Sequence, residues 1–253
     1  MRRRTVYWLT MILTLSVISG CALRAEQNKT VRVMTYNLHH CLGDDGIYDV
    51  ARIAQFMSDF KADIVLCQEV DREYSDRSQM HKQPEMLAEQ LGYHMFYGPN
   101  IGETYGNMIL SKYPIRLAEN VVLPNQEDLE PRGLIVAKID IGSTTVTFLD
   151  THLSAFSKVN RGVQVEFLRE YVASLEQPVI FGADFNTRPS TQLKPFLDDG
   201  VLISSRDTIL GLGEGIDDLL VPSSMRANVL KGEIIENVLS DHPAYWIDIV
   251  IGK

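Results

Sequence analysis

Seven short apolar runs constrain this chain more than anything else in it. Val31–Tyr36, Ile64–Cys67, Met108–Leu110, Leu134–Ile139, Val146–Leu149, Val179–Phe181 and Trp246–Ile251 are rich in β-branched or aromatic side chains and are bounded by turn residues. Runs of that length and composition read as strands. Val50-Ile53-Ala54-Met57 and Phe167-Leu168-Tyr171-Val172-Leu175 carry apolar residues at helical spacing instead. The early chain therefore reads strand, helix, strand, helix, while the middle offers strands with little helix between them. That order predicts an α/β (α+β) chain with two facing sheets and helices outside, rather than one doubly wound sheet. No repeat, low-complexity tract or Pro/Gly/Ser linker interrupts residues 30–253, so they are read as one domain. Gln126–Pro131 reads as an acidic loop. Gly211–Gly215 lacks the preceding strand and following helix of a phosphate loop and reads as a mobile connection.

The N-terminus is an address. Arg2, Arg3 and Arg4 precede an apolar stretch from Val6 to Ile18, then Ser19 and Gly20, which is the order of a secretory signal over residues 1–20. Ile18-Ser19-Gly20-Cys21 resembles a bacterial lipobox. Cys21 is accordingly expected to carry the lipid, residues 21–29 to form a short tether, and the domain to be a membrane-anchored, extracytoplasmic lipoprotein. Cys41 and Cys67 are read as unbridged thiols. Of the 24 Lys and Arg residues, 21 remain after Arg4, against 33 Asp and Glu. Such an acidic balance argues against holding nucleic acid or anionic lipid by bulk charge, and leaves room for a local phosphate site.

Polar residues follow or adjoin the apolar runs: Asn37, Glu69, His152, Asp184 with Asn186, and Asp241 with His242. Taken singly, each is an ordinary turn residue. Brought together by the fold, they would line one crevice on a rigid scaffold. Glu69, Asp184 and Asp241, with Asp217 nearby, would then need a counter-cation, because adjacent carboxylates disfavour joint ionisation. Carboxylate and amide oxygens suit Mg²⁺, with Mn²⁺ or Ca²⁺ also compatible, and the chain lacks the clustered Cys and His of a zinc site. His152 and His242 have hydroxyl or carboxylate neighbours and suit proton transfer near neutral pH beside a hard metal.

In this order the chain resembles the endonuclease/exonuclease/phosphatase superfamily of metal-dependent phosphoesterases. The resemblance is carried by Thr35-Tyr36-Asn37-Leu38-His39-His40, Gln68-Glu69-Val70-Asp71, Tyr105-Gly106-Asn107-Met108-Ile109-Leu110-Ser111, Arg132-Gly133, Thr151-His152-Leu153, Gly182-Ala183-Asp184-Phe185-Asn186, Ile216-Asp217-Asp218 and Ser240-Asp241-His242-Pro243. It implies a four-layer α/β/β/α sandwich with two facing mixed β-sheets. It further implies that Glu69 is the principal metal ligand, with Asn37 and Asp241 completing the site. Asp184 would position or deprotonate the attacking water, and Asn186 would hold the phosphate. His242 would be the general acid/base, oriented by Asp217, and His152 would donate to a nonbridging oxygen. Asn107, Arg132 and His40 are expected along the substrate cleft. Three departures stand out: Cys41 in place of glycine, Ala183 inside the usual Gly-Asp pair, and Asp218 where many nucleic-acid-cutting members carry Tyr.

The leading expectation is a monomeric, Mg²⁺-dependent (or Mn²⁺-dependent) phosphodiesterase acting on a lipid or glycolipid head group or another small phosphate ester. Anchoring at a membrane favours such substrates, and no basic groove with interleaved aromatics suggests a polynucleotide. An extracytoplasmic DNA or RNA endonuclease is the alternative, with nucleic acid as substrate only. A noncatalytic lipoprotein binding a phosphorylated ligand is the third reading, and the intact set Glu69, Asp184, Asn186, Asp241 and His242 argues against it.

Overall fold

The structure, a computed structural model, describes residues 28–252. The signal segment and Cys21 lie outside the described residues. Chain order is β1 (Lys29–Asn37), α1 (Val50–Asp59), β2 (Ile64–Asp71), α2 (Gln83–Leu91), β3 (His94–Ile101), β4 (Tyr105–Ser111), β5 (Ile115–Val122), β6 (Gly133–Ile141), β7 (Thr144–His152), α3 (Lys158–Ala173), β8 (Val179–Asp184), α4 (Lys194–Asp198), β9 (Leu202–Ser204), β10 (Asp217–Pro222), β11 (Val229–Ile235) and β12 (Ala244–Ile251). Two six-stranded sheets result, in the orders β11-β12-β1-β2-β4-β3 and β5-β6-β7-β8-β10-β9. Both are mixed: β1 pairs parallel with β2 and β7 with β8, and the remaining pairs are antiparallel. The sheets therefore follow one plan, each with a parallel central pair whose connection carries a helix, α1 in one and α3 in the other.

Three apolar clusters define four layers. One lies between the sheets, with Val31, Val33, Ile64, Leu66, Phe148, Ile180 and Ile247 among its members. A second packs α1 and α2 on the outer face of the first sheet through Ile53, Met57 and Leu87. The third packs α3 and α4 on the second sheet through Val165, Leu168 and Phe196. The helices begin where the local chemistry favours it. The Asp49 carboxylate accepts from the Ala51 and Arg52 amides at the start of α1, and the Ser157 hydroxyl accepts from the Asn160 amide at the start of α3. Gly182 faces the other sheet closely: a Cβ there would stand 2.4 Å from Leu66 Cδ1, so β8 needs glycine at that point.

Two sequence expectations change. Gly211–Gly215 is not a loose connection, because Arg206 Nε donates to the Gly213 carbonyl and its Nη1 to that of Asp217. A Cβ on Gly215 would strike the same guanidinium. Glu69 is not at a strand exit either: β2 runs on to Asp71, and its pairing with β4 shifts between Cys67 and Val70. Cys41 and Cys67 are free and buried.

Candidate active site

Side chains two apart on a strand share a face. Read along the inward faces, β1 gives Val31, Val33, Thr35, Asn37; β7 gives Val146, Phe148, Asp150, His152; β8 gives Ile180, Gly182, Asp184. Each row is apolar deep between the sheets and polar at the same end of the sandwich. Parallel neighbours contribute their C-terminal ends, while the antiparallel β10 and β12 contribute their beginnings. Asp217 accordingly opens β10 opposite Asp184, and Asp241 and His242 lie just before β12 rather than after a strand. The shift in β2, with Glu69 at φ +56°, turns Glu69 into the same end.

These residues meet at one atom. Asp184 Oδ2 accepts from Asn37 Nδ2 at 3.1 Å, lies 3.3 Å from His152 Nε2, and lies 3.7 Å from His242 Nε2. The same Asn37 Nδ2 also donates to Glu69 Oε1 at 3.0 Å. The Asn186 amide donates to Asp184 Oδ1, and its side chain donates to the Leu153 carbonyl, with its backbone held at φ +50°. The two carboxylate oxygens of Asp217 lie 3.1 and 3.0 Å from His242 Nδ1. Arg132 Nη1 lies 2.9 Å from His152 Nδ1 and 2.9 Å from Glu130 Oε1.

The protonation pattern follows from these partners. A guanidinium only donates, so His152 Nδ1 is an acceptor and the proton of the neutral ring sits on Nε2, toward Asp184. Burial, the Arg132 charge and that of His242 all push the His152 pKa well down, consistent with a neutral ring. Burial also disfavours charge on His242, but the hydrogen bond and charge of Asp217, backed by Asp184 and Asp241, raise it to about 9. Asp184 is raised to about 7 by burial and by the adjacent Asp217.

An open cleft of about 270 Å³ lies over this centre. Glu69, Arg132, His152, Asp184, Asn186 and His242 form its wall together with Tyr74, Arg77, Ile101, Tyr105, Glu130, Ala155 and Phe156. Asn107 and His40 do not. Asn107 is buried with Nδ2 unpartnered, and His40 is buried with Nδ1 unpartnered and its pKa lowered to about 4 by burial and the Arg77 charge. Sequence reasoning missed Tyr74 and Arg77. Arg77 is held to the buried Asp71 by two hydrogen bonds and lies over the ring of Tyr74 at 4.4 Å, a contact no local motif announces.

The donor set suits a hard cation. Asp184, Asp217 and His242 present ligand atoms within 4.8 Å of one another, and Glu69 and the Asn37 amide adjoin them. Asp241 stands at the edge, half-exposed, with Oδ1 3.7 Å from His39 Nδ1. The oxygen donors that suit a divalent ion are Glu69, Asp241 and the Asn37 side chain, since His242, held as an imidazolium by Asp217, offers no lone pair; a cation beside them also relieves the adjacent Asp184 and Asp217 carboxyls.

The solved structures most like this fold include an endonuclease/exonuclease/phosphatase from Beutenbergia cavernae, 21% identical over 88% of this chain and 72% of that one, with a TM-score of 0.76. A family protein from Bacteroides thetaiotaomicron is 17% identical over 90% of this chain and all of its own, with a TM-score of 0.75. The mannosyl-6-phosphatase Bt3783 of the same species is 17% identical over 88% of this chain and 100% of its own, with a TM-score of 0.69. Residues 28–203 match the sequence family described as the PGAP2IP C-terminal nuclease-like domain, and the chain belongs to that family of endonuclease/exonuclease/phosphatase-type proteins.

Proposed function

We propose that this protein is a divalent-metal-dependent phosphodiesterase whose substrate is a lipid or glycolipid head group or another small phosphate ester. The observation that carries the reading is the convergence on Asp184 Oδ2 of two imidazole Nε2 atoms and the Asn37 amide, beside Glu69. When bound, Mg²⁺ or Mn²⁺ on Glu69, Asn37 and Asp241 would polarise the phosphate and lower the pKa of a water. The remaining work falls to the side chains. Asp184, whose pKa of about 7 matches the operating range of a base, takes the proton of the attacking water. His152 donates its Nε2 proton to a nonbridging oxygen, and Arg132 behind it fixes that tautomer. Asn186 holds the phosphate. His242, an imidazolium at neutral pH, protonates the leaving oxygen while Asp217 fixes its ring.

The name of the mannosyl-6-phosphatase supports a sugar-borne phosphate ester as substrate for this fold. Phe156, 82% exposed at the cleft wall, together with Tyr74, offers aromatic surface to the alcohol portion. The lipobox-like segment supports tethering through Cys21 to a membrane, facing outside the cytoplasm. Hydrolysis of bis-(p-nitrophenyl) phosphate, p-nitrophenyl phosphate and plasmid DNA, each with Mg²⁺, Mn²⁺ or EDTA and beside His242→Ala, tests the reading. Metal-dependent cleavage of the diester, lost in the variant, is expected. Cutting confined to plasmid DNA would replace the reading with the nuclease, and phosphate binding without turnover would replace it with the binding protein.

A further inference from the structure

Beside the catalytic cleft, and sharing Asn186 with it, lies a second cavity of about 320 Å³. Its wall contains three cations, Lys158, Arg161 and Arg188, together with Thr187, Thr191 and Gln192, and no carboxylate. In a chain of net charge −9 that concentration is unusual. Lys158 and Arg161 stand one turn apart on α3 and share a face. Arg188 follows Asn186 by two residues, and its amide and carbonyl both bond the Thr191 hydroxyl, which fixes the loop.

Arg161 is the informative member. It is 93% buried, being 7% exposed, yet its hydrogen bonds go only to neutral oxygens: Nε to Gln192 Oε1, and Nη1 to the Ser154 and Ala155 carbonyls. Among the described residues Nη2 makes no hydrogen bond and no carboxylate lies within 4 Å of the guanidinium, whose free edge opens to the cavity. Asp184 acts on it only at longer range, while burial depresses its pKa. Glu214, which reaches this loop, is taken by Ser190. A buried guanidinium without a counter-ion is costly, and an anion in the adjoining cavity offsets that cost.

We infer that this cavity binds a second phosphate group carried by the substrate, across Asn186 from the scissile phosphate. The inference rests on the phosphodiesterase reading above. Arg161 Nη2, Lys158 Nζ and the Arg188 guanidinium are the donors, and the shared Asn186 joins the two phosphate positions. The substrate class narrows accordingly, to phosphodiesters whose alcohol bears a further phosphate near the ester.

Two measurements on the full chain decide it. In EDTA, calorimetric titration with inorganic phosphate is expected to give binding that weakens about tenfold or more in Lys158→Gln/Arg188→Gln, both exposed positions, and in Arg161→Gln. With Mg²⁺, the p-nitrophenyl phosphodiester of ethylene glycol monomethyl ether is compared with that of ethylene glycol phosphorylated on its free hydroxyl, so that neither carries an internal nucleophile. The kcat/KM ratio is expected to favour the phosphorylated form by about tenfold or more in the wild type and to fall toward one in the double variant. An unchanged ratio, or phosphate affinity that ignores all three substitutions, overturns the inference and leaves Arg161 as a fastener between Gln192 and the Ser154 carbonyl. If neither diester is hydrolysed, the phosphodiesterase reading fails, and the titration still reports on the cavity separately.

Discussion

Replacing Asp217 with Asn removes the charge that holds His242 protonated while keeping an oxygen for its Nδ1 proton. Burial of the ring opposes protonation, and the Asp217 carboxylate, with both oxygens about 3 Å from Nδ1, is the largest influence in the other direction. A rise from 6.5 to about 9 corresponds to about 3 kcal/mol of preferential stabilisation of the imidazolium. The His242 side chain is 17% exposed, so solvent screening is incomplete and most of that figure should survive in solution. Because the folded-state value lies above the unfolded one, this stability is fully present below pH 6.5 and is lost as pH rises through about 9. In Asp217→Asn the ring should titrate near or below its ordinary value. NMR titration of the His242 Cε1 proton in EDTA reads the first effect. Urea unfolding at pH 6 and pH 9.5 reads the second: wild type and variant should differ by about 3 kcal/mol at the lower pH and by much less at the higher one. Turnover should fall by about two to four orders of magnitude, as expected for a general acid that is wrongly protonated. A His242 value that moves by less than about half a pH unit on substitution would sink the reasoning, since Asp217 would then not be what sets the charge.

Other expectations follow from separate parts of the molecule. Mg²⁺ at about a hundred times its Kd should add about 2.7 kcal/mol and raise Tm by roughly 5–10 °C, and Glu69→Gln should abolish both this shift and metal-dependent turnover in a thermal melt and activity assay. Asp150 is fully buried, with one oxygen on Gln68 and the other unpartnered, and burial pushes its carboxyl well up. Wild type therefore loses stability as pH rises through the ordinary carboxylate range, so Asp150→Asn should unfold at higher denaturant at pH 7 and lose that advantage near pH 3. Arg32 clamps Asp248 through Nε and Nη2 at 2.7 and 2.8 Å over the ring of Trp246. Burial alone would raise the Asp248 pKa, but Arg32 outweighs it and holds it low. Asp248→Asn should cost about 1–3 kcal/mol in urea unfolding at pH 7, a difference that vanishes as pH falls below the ordinary carboxylate value.

What was legible in the sequence was the interior of each sheet. All seven apolar runs lie within β1, β2, β4, β6, β7, β8 and β12, strands with a neighbour on each side. The strands that escaped notice include all four edges, β3, β5, β9 and β11. The reason is physical: β5, with Arg116, Leu117, Glu119 and Val122 exposed, is apolar on neither face consistently, and β3 contains Gly98 and Pro99, which an edge tolerates. β10 was missed because its first two residues, Asp217 and Asp218, are the polar end of a buried row. Asp218 survives there by bonding Ser204, with burial lifting its carboxyl to about 7.

The site was legible for the same reason that the strands were. A period of two carries an inward face from Val33 through Thr35 to Asn37, and from Phe148 through Asp150 to His152, so a polar residue ending an apolar row lies at the end of the sandwich by geometry alone. That logic finds Asn37, His152 and Asp184. It fails for Glu69, whose orientation depends on the shift between Cys67 and Val70, and no composition rule places such a shift. It fails again for Arg77 and Arg161, which come from a loop and a helix and reach the clefts only through tertiary partners: Asp71 for one, Gln192 and the Ser154 carbonyl for the other. The strand rows follow from the register of the two sheets. Residues of the second kind, set by loops and helix starts, are where substrate choice resides, and for that reason the decisive substitutions for specificity are Lys158, Arg161 and Arg188 rather than the residues around Asp184.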